Sequence, residues 1–291
     1  MTAVPLAANA ALAANDAADA PGARPIGVFD SGIGGLSVLR ALRAELPHEH
    51  FVYFADSGHA PYGERDEAHV MARTAAIAHT LVHEHGAKAL VVACNTATAA
   101  AIHLLRERYP GLPVVGVEPA LKPAVAATRT GHIGVIATRS TLASAKFGAL
   151  RAALGERARF RFVPCDGLAH AIEQGDDDTV ETLVARYLQE VGRFGGQDGE
   201  VDTLVLGCTH YPLVVEVLRR HVGTEVQLVE TGPPVALQTR RLLAAAGALA
   251  TDRATDTPGI AIDDVLWLSS ADPAALRAAA ARWLPETGPR A

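Results

Sequence analysis

The sequence predicts an α/β protein built on largely parallel sheet, and three observations carry that prediction. From Pro25 onward, short β-branched apolar runs alternate with longer Ala/Leu/Arg segments of helical periodicity, the pattern of βα units. Nearly every apolar run ends on a reactive or hydrogen-bonding residue. At 291 residues the chain is long enough for two domains or one large α/β unit.

The first expected strand, 26–29, is followed by Asp30-Ser31 and the turn Gly32-Ile33-Gly34-Gly35, which enters a helix. Such a turn permits close backbone approach to an anion, but it does not match GxGxxG and does not indicate a nucleotide. Asp30 reads either as a helix N-cap or as a group that orients an ammonium or a thiol. Strand 50–55 leads to Asp56-Ser57 and then Pro61-Tyr62-Gly63, an ordinary turn or one whose phenol and backbone N–H groups close over a carboxylate. Strand 89–93 ends on Cys94-Asn95-Thr96 before an alanine-rich helix, strand 114–117 on Glu118 and strand 133–137 on Thr138. Strand 160–163 precedes Pro164-Cys165-Asp166, strand 203–206 leads to Cys208-Thr209-His210, and strand 227–229 ends on Glu230-Thr231. A short strand at 265–269 closes the series.

Two segments share a plan: Val91-Val92-Ala93-Cys94-Asn95-Thr96 and Val205-Leu206-Gly207-Cys208-Thr209-His210. A cysteine between a strand end and a helix N-terminus meets backbone N–H groups and the positive end of the helix dipole, which lowers a thiol pKa below about 8.5. Any single cysteine is more often a small buried hydrophobe. The arrangement occurs twice, each time beside hydroxyl or imidazole donors, which points to function. Cys165 lacks that context and reads as the bland case. Because ligands of open α/β sheets bind beyond the carboxyl ends of the strands, these residues should converge on a cleft.

Charge and composition exclude several classes. The net charge is -6 with both signs interspersed, so no basic stripe awaits nucleic acid. Three widely spaced cysteines without a CxxC pair argue against a disulfide framework or zinc ribbon, and for a reducing compartment. There is no HExxH or other metal-ligand spacing and no GxSxG elbow. Only Lys88, Lys122 and Lys146 occur, and none directly follows an expected strand, which leaves pyridoxal phosphate without a Schiff-base partner. No cofactor is therefore expected, and a carbanion would have to be stabilised by N–H and hydroxyl donors. Residues 1–24 are alanine-rich with no lysine or arginine before Arg24, and read as a disordered tail rather than a secretory signal. No run approaches the roughly 20 apolar residues of a membrane span, so a soluble cytoplasmic protein is expected.

The strings Asp30-Ser31-Gly32-Ile33-Gly34-Gly35-Leu36-Ser37, Pro61-Tyr62-Gly63, Cys94-Asn95-Thr96 and Cys208-Thr209-His210-Tyr211-Pro212, in this order, resemble the signature set of the glutamate racemases. The resemblance runs from about Pro25 into the closing segment Leu266-Trp267-Leu268-Ser269-Ser270. It implies two similar α/β domains with the active site in the cleft between them: 25–117 plus 231–291 as the first, and 118–230 inserted as the second. It further implies interconversion of L- and D-glutamate for peptidoglycan synthesis, with Cys94 taking the α-proton from the D-enantiomer and Cys208 from the L-enantiomer. Asp30, Ser31, Tyr62, Gly63, Asn95, Thr96, Thr209 and His210 match substrate-holding positions, with Asp30 and His210 also placed to assist the thiols. Thr138 and Glu173 are more distant matches. The expected partner is thus a small-molecule substrate, with no nucleic acid and no membrane, and a homodimer is compatible with the family. An aspartate racemase with the same paired thiols, or a dicarboxylate-binding module without catalysis, are the competing readings.

Overall fold

The computed structural model describes residues 21–250 and 265–284. Among the described residues nine strands form two sheets, parallel throughout. The first sheet contains β1 (Ile26–Asp30), β2 (Phe51–Ala55), β3 (Ala89–Val92), β4 (Val114–Gly116) and β9 (Val265–Ser269), in the order β4-β3-β1-β2-β9. The second contains β5 (His132–Ala137), β6 (Arg159–Pro164), β7 (Thr203–Leu206) and β8 (Gln227–Val229), in the order β6-β5-β7-β8. Every expected strand is present to within a residue or so at each end.

The central strands β1 and β3 are buried along their whole length, which parallel sheet requires because helices cover both faces. Edge strand β6 instead alternates exposed arginine with half-buried phenylalanine. On one face of the first sheet, α1 (Leu36–Glu45) packs against α10 (Gly232–Ala245); on the other lie α2 (Glu67–His79) and α3 (Asn95–Arg108). In α1 the buried Leu36, Leu39 and Leu42 recur at helical spacing and face that core. Around the second sheet lie α4 (Leu121–Ala127), α5 (Arg139–Ala143), α6 (Ala145–Leu154), α7 (Leu168–Gln174), α8 (Asp177–Val191) and α9 (Val215–Val222), and α11 (Pro273–Trp283) follows β9. One core cluster is continuous between the two sheets, joining Ile26 and Val91 to Ile136 and Leu206. Among the described residues no helix is long and apolar enough to cross a membrane.

Both sheets are wound alike. The second strand lies on one side of the first, the third on its other side, and the fourth beyond that, so the order reverses between first and third strands. The registers agree as well: Ala93 N donates to Phe29 O and Asp56 N to Asp30 O, while Gly207 N donates to Ile136 O and Cys165 N to Ala137 O. Cys94 and Cys208 therefore occupy corresponding places, each just past the third strand of its sheet at the switch point where α/β ligands bind.

Residues 1–20 of the expected tail lie outside the described residues, and Gly22 and Arg24 bond to the fold. Pro21–Ala23 form a single 3-10 turn, Gly22 O accepts from Lys88 Nζ at 2.7 Å, and Arg24 Nε donates to Gly86 O at 2.7 Å. Lys88 is buried in an ion pair with Glu49 at 2.5 Å, and Glu49 also accepts from Ala250 N at 2.9 Å. Removing Gly22 leaves a buried ammonium short of an acceptor. A chain starting at Pro25 should therefore be less stable than one starting at Pro21 by about 1–3 kcal/mol. Denaturant midpoints check this, and equal midpoints would mean that these contacts do not stabilise the fold.

Candidate active site

A cavity of about 400 Å³ lies where the carboxyl ends of the two sheets face each other. Loops after β1, β2 and β3 supply Ser31, Tyr62, Gly63, Cys94, Asn95 and Thr96, and loops after β5 and β7 supply Thr138, Cys208, Thr209 and His210. Every residue expected to hold substrate or act as acid or base lines it except Asp30, which is fully buried just behind Ser31, whereas the strand-end residues Asp56, Glu118, Glu230 and Thr231 stay outside it. Cys165, Glu173 on α7 and the start of α11 complete the wall.

Cys94 is the N-cap of α3, and its Sγ accepts from Ala97 N at 3.5 Å and donates to Ser31 Oγ at 3.8 Å. The expected lowering of its pKa is overturned. Burial pushes the thiol well up and the nearby Asp30 charge adds to that, outweighing its bonds with Ala97 and Ser31. Asp30 is not a helix cap either, because α1 starts at Leu36 with Gly35 as its N-cap. Its carboxylate accepts from Gly32 N at 3.1 Å and Thr209 Oγ1 at 3.4 Å. Burial raises Asp30 to about 6, against the lowering effect of His210.

Cys208 has a different neighbour. Its Sγ lies 3.8 Å from His210 Nδ1, and His210 Nε2 lies 2.7 Å from Glu173 Oε2. Glu173 also accepts from Ile33 N at 2.9 Å and Ser57 Oγ at 3.1 Å, so one carboxylate ties α7 to the loops after β1 and β2. Burial opposes an imidazolium at His210, but the bonds and charges of Cys208 and Glu173 overcome it and hold the ring protonated well above its ordinary range. Burial likewise works against the Glu173 carboxylate, and the bond from His210 reverses that, keeping it below the usual range.

The glycine-rich turn has its explanation here. A Cβ on Gly32 would stand 2.3 Å from a Glu173 oxygen, and one on Gly34 would stand 2.3 Å from His210 Nδ1. The anion this turn receives is thus the protein's own Glu173, bound at Ile33 N. Glu173 was visible in the sequence only as a distant match, since its partner Ile33 stands 140 residues away.

Hydroxyls line the wall between the sheets: Thr96 Oγ1 lies 3.4 Å from both Thr138 Oγ1 and Ser140 Oγ. Asn95 is buried, and neither its amide nitrogen nor its oxygen has a hydrogen-bond partner among the described residues. A buried unpaired amide costs free energy unless a ligand completes it. Tyr62 does not offer its phenol proton to a ligand, contrary to one reading of its turn. Its hydroxyl donates to Asp56 Oδ2 at 2.5 Å, and Arg73 holds the same carboxylate through Nε at 2.9 Å and a terminal nitrogen at 2.7 Å. Asp56 was seen as a strand-end residue but not as part of a site, and Arg73 carries no signal in the sequence.

The same arrangement of chain occurs in known proteins. Residues 26–238 match the family model described as Asp/Glu/hydantoin racemase. The glutamate racemase of Pseudomonas syringae pv. tomato is 47% identical over 235 residues, covering 80% of this chain and 83% of that protein. Among solved structures, a glutamate racemase isoform of Bacillus anthracis superposes with TM-score 0.75 at 30% identity, covering 90% of this chain and 94% of that one. The glutamate racemase of Francisella tularensis in complex with D-glutamate superposes with TM-score 0.72 at 29% identity, covering 90% and 93%.

Proposed function

The chain belongs to the Asp/Glu/hydantoin racemase family, and we infer from that membership that it interconverts L- and D-glutamate, with Cys94 and Cys208 as the two acid/base groups. The observation that carries the two-thiol mechanism is their placement at corresponding strand ends, lining one cavity. One thiolate takes the α-proton while the opposite thiol gives its own proton to the other face, so each turnover ends with the two protonation states exchanged. The surroundings of the two thiols differ: burial keeps Cys94 as a thiol, while Cys208 has the His210 ring 3.8 Å from its sulfur. By family resemblance Cys208 abstracts from the L-enantiomer and Cys94 from the D-enantiomer.

The remaining roles follow from position. Asp30, Ser31 and Thr209 would hold the ammonium, while Asn95, Thr96, Thr138 and the Tyr62-Gly63 turn would hold the carboxylates and the charge that develops on the α-carbon. No cofactor enters this scheme. The domain boundaries 25–117 plus 231–291 and 118–230, a cytoplasmic location, a homodimer and supply of D-glutamate to peptidoglycan belong to the same reading.

The test is a chirality assay of purified protein on glutamate and aspartate. Shortening the side chain by one methylene misplaces the α-carbon between two fixed sulfurs, and a misplacement of that order costs about 10²-fold in rate. Racemisation of glutamate at least that much faster than of aspartate is expected. Equal rates would overturn the substrate assignment, and no exchange at either α-carbon would favour a binding module.

A further inference from the structure

Four acids line the cavity, Glu64, Asp166, Glu173 and Asp272, against a single lysine or arginine among the described residues, Arg139. The chain as a whole carries a net charge of -6. An anionic amino acid approaching this mouth is repelled unless a local cation offsets the field. Arg139 is the first residue of α5, directly after Thr138 and its hydroxyl contact with Thr96. Its guanidinium bonds to Asp166, with Nε 3.2 Å from Oδ2, and both side chains are more than half exposed, 65% and 53%. Water screens a pair this exposed, so little is lost when one carboxylate replaces another. The planar guanidinium fork receives any carboxylate in the same two-pronged way.

We propose that Arg139 is the capture residue for the anionic substrate, exchanging its rim contact with Asp166 for a substrate carboxylate and passing it inward to the Thr96, Thr138 and Asn95 wall. What is captured rests on the racemase reading; that an anion is captured does not. A purely structural tie between Arg139 and Asp166 makes a different prediction. Breaking it from either side would act alike, whereas in capture Asp166 competes with the substrate and the two substitutions act oppositely.

The experiment has two arms on the full-length protein and its Arg139→Gln, Arg139→Lys and Asp166→Asn variants. In the first, alkylation of Cys94 and Cys208 is followed by mass mapping with anionic iodoacetate and neutral iodoacetamide, in which the thiolate sulfur displaces iodide. Arg139→Gln should lower the iodoacetate-to-iodoacetamide rate ratio about tenfold at low salt, Arg139→Lys should restore most of it, and Asp166→Asn should raise it. High salt should compress all these differences. In the second arm, Arg139→Gln should lower kcat/KM for glutamate by a similar factor through KM, with kcat close to that of the unaltered protein. An unchanged alkylation ratio in Arg139→Gln, or a ratio lowered by Asp166→Asn, overturns the proposal. Failure of the racemase reading appears separately, as absence of α-proton exchange in the unaltered protein, and leaves the alkylation arm still able to decide.

Discussion

Replacing Cys94 or Cys208 by alanine is expected to abolish racemisation in both directions, with a loss of at least about 10²–10⁴-fold, the range for removing a general acid or base. Each thiol faces the cavity from its own sheet, so neither can reach the other face of the α-carbon in the other's place. The two enantiomers have equal free energy, so kcat/KM must be the same in both directions for the enzyme and for any variant. A one-thiol variant cannot keep one direction. What it can keep is half the chemistry: exchange of the α-proton with solvent on the face served by the remaining thiol, without inversion. In deuterated water the unaltered enzyme should give early product that carries α-deuterium while unreacted substrate stays largely protiated. Near-normal racemisation by either alanine variant, or substrate that gains deuterium as fast as product, would replace the two-thiol scheme with a single shared base.

Glu173→Gln is expected to lower kcat/KM about 10²-fold while leaving both thiols in place. The substitution preserves size and can still accept from Ile33 N, but it removes the charge that holds His210 as an imidazolium beside Cys208. Stability gives an independent reading through its pH dependence. His210 has a folded pKa above its ordinary 6.5, so its contribution is complete below that value and is lost as pH rises through the folded pKa. Glu173 has a folded pKa below its ordinary 4.5, so its contribution is present above that value and is lost as pH falls through the folded pKa. The pair therefore stabilises most between about pH 4.5 and 6.5, and the destabilisation by Glu173→Gln should be largest there and shrink toward alkaline pH. Denaturant midpoints of both proteins across pH 5 to 10 check this (about one unit apart per point suffices, since a single titration spans roughly two units). A pH-independent difference would mean that Glu173 acts only as a spacer.

How much of this site was legible beforehand depended on the range of each interaction. The central strands β1 and β3 show as short apolar runs because a parallel strand covered on both faces must be apolar on both, while edge strand β6 shows through its alternation instead. The residues that follow them were informative because parallel winding carries every strand's carboxyl end to one edge. The repeated cysteine plan was legible for the same reason: the same winding places Cys94 and Cys208 at corresponding switch points. The direction of the Cys94 shift was not, because a helix N-terminus is local while burial depends on everything packed around it.

The sequence by itself therefore determined the α/β class, the strand positions, the pair of thiols and the hydroxyl and amide residues beside them, since each is written in residues adjacent along the chain. Only the tertiary structure decided which groups serve which thiol. Glu173 reaches Ile33 across 140 residues, Arg73 takes Asp56 and with it the phenol of Tyr62, and Arg139 meets Asp166 at the rim. None of these pairings has a periodicity or spacing that announces it. They arise when two sheets, each specified locally, close on one another and a buried charge must find its partner in whatever segment the packing brings near.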